Sequence, residues 1–196
     1  MTIHTLVSVA AALGARVEVR LLWHGEDLDR LLDARHAGLV ESTVTILASA
    51  GWSIVTEASF NVLGERGSID VLAFHPTTGS LLVIEVKSVV PDLQAMLVGI
   101  DRKGRLAREI ALDRGWRATS VSRLLVLPDD RTARRRVERY GATLRVALPA
   151  RTVEVRRWIR QPDGARHGIL FLSDARHPSA RQRVPAPRAG AAPNGA

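Results

Sequence analysis

Between residues 28 and 48 the apolar positions Leu28, Leu31, Leu32, Leu39, Val40, Val44, Leu47 and Ala48 recur at three- and four-residue steps, with His36 on the same stripe. That period places them on one face of a long helix. Glu26, Asp27 and Asp29 sit at its start, where the helix dipole favours negative charge, and the pattern ends near Gly51. After Gly51 the spacing becomes extended, and predicts strands over 52–60, 68–74 and 81–87 with a turn at Pro76–Thr77–Thr78–Gly79. Pro91 and Asp92 open a helix expected to reach Arg114, with Gly99 and Gly104 as candidate breaks; 121–127 reads as a fourth strand. Asp129–Asp130–Arg131–Thr132 caps a helix over 133–140. A helix around 155–159 and a short strand over 168–172 complete the ordered part.

Residues 4–13 have helical spacing up to Gly14, and 16–20 alternate like a strand. This leader, 1–25, is too short to fold alone. From 178 to 196 Pro, Ala, Gly and Arg replace large apolar residues, which predicts a disordered tail. The division expected is therefore a leader (1–25), one α/β domain (26–177, with a C-terminal extension from about 128) and the tail.

A four-residue hairpin loop at 76–79 would place Asp70 opposite Glu85 and Ser68 opposite Lys87. One face of the hairpin then carries Asp70, Leu72, Phe74, Leu81, Val83, Glu85 and Lys87, and the other Ile69, Val71, Ala73, Leu82, Ile84 and Val86. Both faces are apolar except at one end, as in a central hairpin covered by helices on either side. Two carboxylates opposed across strands repel, and partial burial adds a desolvation cost. A hard divalent cation would offset this, as would a shared proton, and so would Lys87 on the same face by neutralising one carboxylate with no metal. Magnesium suits one or two carboxylates while keeping waters and substrate phosphates.

Composition sharpens the picture. Of the 28 Lys plus Arg only Lys87 and Lys103 are lysine, and a lysine point charge differs from an arginine fork where a small cation must sit beside a carboxylate and a water. The chain of 196 residues has formal charge +8, so polyanions lead the list of partners, nucleic acid first. The absence of cysteine excludes disulfides and thiolate metal sites. No run approaches the ~18 apolar residues of a membrane span, and the first residues lack the features of a signal peptide. The expectation is a cytoplasmic protein with no membrane partner, for which a homodimer is admissible.

Gly67–Ser68–Ile69–Asp70 heading one apolar strand and Glu85–Val86–Lys87 ending the next resemble the core of the PD-(D/E)xK nuclease superfamily, the restriction-endonuclease-like fold. The likeness is strongest to YraN-type endonuclease-like proteins and archaeal Holliday-junction resolvases, over about 38–127. It implies a mixed central β-sheet flanked by helices, and places Glu41 as the helical glutamate of the family. It implies further that Asp70 and Glu85, with the Val86 carbonyl and Glu41, hold magnesium or manganese. Lys87 would orient the attacking water, while Arg102, Lys103 and Arg105 would hold the DNA backbone. Residues 5–13, followed by 16–20 and 25–29, resemble the closing helix and trailing strand of an XRE-type helix-turn-helix regulator.

Three readings result: a magnesium-dependent DNA nuclease, a non-catalytic DNA-binding or transcriptional regulatory protein that keeps the nuclease fold, and, more remotely, a protein-interaction scaffold. Other features are blander: His4, His24, His36, His75, His167 and His177 show no ligand spacing that would assign zinc. Arg134–Arg135–Arg136 reads as a solvated helix face, and Gln94 lacks the Tyr four residues on that some superfamily members carry, being followed there by Val98. One Tyr and four Trp provide no interleaved stacking platform for single strands.

Overall fold

The computed structural model describes residues 3–15, 26–90 and 92–173. The expected strand over 16–20 and the expected disordered tail lie outside the described residues. Two units separate by contact, Met1–Leu31 and Leu32–Ala196. The first contains α1 (Ile3–Ala12), which ends before Gly14 at φ +69°, a backbone conformation that suits glycine.

The second unit is α/β, with a five-stranded mixed sheet flanked by helices. Beyond α2 (Glu26–Ser49), which starts in the first unit, it contains β1 (Ser53–Val62), β2 (Glu65–His75), β3 (Ser80–Val86), α3 (Leu93–Leu112), β4 (Ser120–Pro128), α4 (Arg131–Arg139), α5 (Gly141–Ala147), α6 (Thr152–Arg160) and β5 (His167–Leu172). The strands lie in sequence order; β1–β2 and β2–β3 are antiparallel, and β3–β4 and β4–β5 are parallel. Residue by residue, β3 is buried along its whole length, as its unbroken apolar run requires of a strand covered on both faces.

Leu106, Ala107, Ile110 and Ala111 of α3 pack on Leu72, Leu81 and Val83. Leu39 and Leu47 of α2 and Val155, Trp158 and Ile159 of α6 cover Val71, Ala73, Leu82, Ile84 and Val86 on the other face. The Trp52 indole N–H donates to the Ile159 carbonyl at 2.9 Å and ties β1 to α6. A smaller cluster joins the start of α3, through Leu93 and Met96, to Leu144 and Leu148 around α5 and to Leu125 and Leu127 of β4.

The hairpin register is the expected one: Val71 faces Ile84 and His75 faces Ser80 across the four-residue loop. Gly79 sits in that loop at φ +68°, and a Cβ there would meet the Thr119 side chain at 2.8 Å. Helix α3 runs through Gly99 and Gly104 without a break. Gly104 instead admits the Arg123 side chain, whose Cδ would lie 2.6 Å from an added Cβ. Asp92 caps α3 by accepting from the Gln94 and Ala95 amides, and Asp130 caps α4 by accepting from the Ala133 amide. The sequence pattern did not reveal α5, which brings mainly Leu144 to the core and so leaves little apolar period to detect. No described helix is long and apolar enough to cross a membrane.

Candidate active site

The ladder between β2 and β3 runs from His75↔Ser80 to Val71↔Ile84 and goes no further. At the next position the Asp70 side chain takes over: its Oδ2 accepts the Val86 N–H at 2.7 Å. The Lys87 N–H turns to the Val126 carbonyl at 3.0 Å. The hairpin therefore opens at the end where its polar residues lie, and a carboxylate satisfies the freed amide.

Glu85 is buried, and both its oxygens are engaged. Lys87 Nζ lies 2.6 Å from Oε1, and Lys103 Nζ pairs with Oε2. Lys103 was expected at the DNA backbone, but in the structure its side chain is only 11% exposed and lies inside the cluster. Both of the chain's lysines thus converge on one carboxylate. Arg102 and Arg105 are exposed on α3, with Arg105 bonded to Glu65 of β2 at 3.0 Å.

The two acids are driven in opposite directions. Burial, reinforced by the nearby charge of Glu85, raises the Asp70 carboxyl above its usual value. Burial acts the same way on Glu85, but hydrogen bonds from Lys103 and Lys87 outweigh it and hold that carboxyl low. Pairs of acids pushed apart in this way are a common arrangement where one must ionise and the other handle a proton.

A second group meets at Asp70. The ligand-capable atoms of His36 on α2, Glu57 on β1 and Asp70 on β2 all lie within 4.8 Å of one another. Glu41, expected as the helical metal ligand, is exposed and is not a member of this group. Nor is Glu85, whose carboxylate is occupied by ammonium groups. Val86 meets Asp70 through its N–H.

The β1–β2 register explains how Glu57 arrives. Thr56 pairs with Val71 and Ala58 with Ile69, so Glu57 stands across from Asp70 at the step where no pair forms. Glu57 has φ +50°. Val55 and Leu72 contribute to the α3 side, Val71 to the α2 side, and then Ala58 and Ile69 to the α3 side again. Both strands therefore lose their alternation at the Glu57–Asp70 step. Ile69 ends on the face opposite to the one that strict alternation assigns it. His36 was visible in the sequence as part of the α2 stripe, but only the fold shows that it stands over two carboxylates, one of them on a strand with no motif.

Magnesium between Asp70 and Glu85, as the resemblance implies, fits this donor set in part. Asp70 offers Oδ1 beyond its bond to Val86, whereas Glu85 would have to give up an ammonium partner.

No family model matches this chain, and no curated protein matches it. Among solved structures it is similar to the crystal structure of a protein of unknown function, AF1548, at 15% identity and a TM-score of 0.32. That match covers 55% of this chain and 55% of the other, so the chain spans about half of that protein's length. A likeness of this size indicates neither family nor activity.

Proposed function

We propose that this chain is a metal-dependent nuclease-like protein that hydrolyses DNA phosphodiester bonds. The observation that carries the reading is the convergence of Asp70, Glu85, Lys87 and Lys103 at the open end of the β2–β3 hairpin. A phosphate binds well where ammonium groups are held in place, and Glu85 holds two. Lys87, with a side chain 32% exposed, is the one able to reach a solvent-side phosphate and steady the charge that develops on it. Lys103 is held more deeply and keeps Glu85 ionised. A divalent cation on Asp70 would, when bound, polarise the scissile phosphate and lower the pKa of a water. Arg102 and Arg105 offer backbone contacts on the exposed side of α3.

The test is a cleavage assay on linear, nicked, single-stranded and branched DNA with magnesium and with manganese. Lys87→Ala should abolish cleavage while leaving DNA affinity nearly unchanged, because the lysine acts on the transition state more than on ground-state binding. Affinity should fall with salt, the log–log slope losing about 0.9 for each phosphate contact removed from a duplex complex. The engagement of both Glu85 oxygens by lysines favours a second reading, a DNA-binding regulatory protein that retains the fold without cleavage. DNA affinity with no metal-dependent cleavage of any form would select it.

A further inference from the structure

We propose that His36, Glu57 and Asp70 form a binding site for a first-row divalent transition ion, of the zinc, cobalt or manganese class, rather than a site built for magnesium. Three elements contribute one side chain each, and the ligand-capable atoms lie within 4.8 Å of one another. An ion with bonds of ~2.1 Å to nitrogen and oxygen separates its ligands by about 3 to 4 Å, so small side-chain rotations close the set. The donors are one imidazole and two carboxylates. Imidazole shifts preference from magnesium, which takes oxygen ligands, towards zinc and its neighbours, and three protein ligands leave positions for water or a phosphate oxygen.

The surroundings support the geometry. Asp70 is fixed in orientation by the Val86 amide on Oδ2, which leaves Oδ1 to bind. Glu57 reaches the group because β1 departs from regular strand geometry at that residue, opposite Asp70. No hydrogen bond joins His36 to either carboxylate among the described residues, so the group is not a closed ion-pair network. His36 and Asp70 are half-buried and Glu57 is exposed, which gives an ion a path from solvent. Glu85 lies outside the group with its own two ammonium partners. The two oxygens of Asp70 thus have separate tasks, Oδ2 accepting the Val86 amide and Oδ1 left for a cation.

The inference needs no cleavage activity, and its test reads metal alone. The chelator-treated full chain is titrated with Co2+, Zn2+, Mn2+ and Mg2+ by calorimetry, with the visible spectrum of Co2+ followed in parallel. Cobalt and zinc should bind at least tenfold more tightly than magnesium, and His36→Ala and Glu57→Gln should each weaken cobalt binding at least tenfold. Glu109→Gln, on exposed α3 surface, should leave it unchanged. Should His36→Ala fold poorly, His36→Gln and the zinc-induced rise in wild-type melting temperature provide independent readouts. Equal affinity for magnesium and cobalt, or cobalt binding indifferent to His36 and Glu57, overturns the proposal. A chain that binds cobalt through His36 but cuts no DNA supports this inference and removes the nuclease reading. One that cuts DNA with magnesium, and whose cobalt binding ignores His36, does the reverse.

Discussion

The two ends of the β2–β3 hairpin are built from the same strands and behave oppositely. At the turn end Leu72, Ala73, Leu81 and Leu82 are fully buried, pair in an unbroken ladder and are covered by α3 on one face and by α2 and α6 on the other. At the open end the ladder stops, the alternation of β1 and β2 fails at Glu57 and Asp70, and three carboxylates, two lysines and a histidine gather. The turn end obeys the local rules of period and burial, whereas the open end breaks alternation and holds several ionisable groups out of full solvent contact. Departures gathered in one place are tolerated where a regular neighbour supplies the stability.

If the turn end carries that stability, Leu72→Ala should be more damaging than any substitution at the open end. It removes a fully buried side chain beneath α3 and should lower unfolding free energy by about 2–5 kcal/mol in urea titration. Metal binding by the folded fraction should be unchanged. A loss under about 1 kcal/mol would mean that stability does not divide as the two ends suggest.

Glu85→Gln probes the opposite end. It leaves Lys103, nearly buried, and Lys87 beside a neutral amide. The expected loss is about 2–3 kcal/mol at pH 7, below the ~3–5 kcal/mol of a fully buried pair because Lys87 is one-third exposed. The Glu85 carboxyl is held low in the fold, so its contribution is complete above the unfolded value of 4.5 and is lost as pH falls through the lower folded value. The difference between wild type and variant should therefore close in acid. A difference that persists in acid would mean that the glutamate's shape, rather than its charge, is what matters.

The turn end was legible in the sequence because period and turn chemistry fix it. Alternating Leu72 and Phe74 with Val71 and Ala73, and a Pro–Thr–Thr–Gly loop, determine the register that the structure has. The open end was legible only where residues adjacent in sequence carry it, in Glu85–Val86–Lys87 and in Asp70. Lys103 looked like surface because its helix neighbours Arg102 and Arg105 are surface, whereas it turns inward and pairs with the second oxygen of Glu85. Glu57 and His36 lie 13 and 34 positions before Asp70. Glu57 is brought in by the break in alternation, which no hydrophobic period announces.

Asp70→Asn gives the smallest effect and the sharpest sign. Burial and the neighbouring Glu85 raise the Asp70 carboxyl, so the folded protein binds its proton more tightly than the unfolded chain does. Ionisation of Asp70 therefore destabilises the metal-free fold, fully above the raised folded value and not at all below the unfolded value of 3.8. The asparagine carbonyl can still accept the Val86 amide, so the variant loses the repulsion and keeps the bond. At pH 7 without metal it should gain on the order of 1 kcal/mol, a gain that fades as pH falls towards 3.8. With cobalt or zinc present the order should reverse, because wild type binds the ion through Asp70 and the variant does not. Chemical denaturation at several pH values, with and without metal, reads both signs. A variant less stable than wild type without metal would show that Asp70 is already compensated by Lys87 and Lys103, and that the open end carries no uncompensated charge for a cation to relieve.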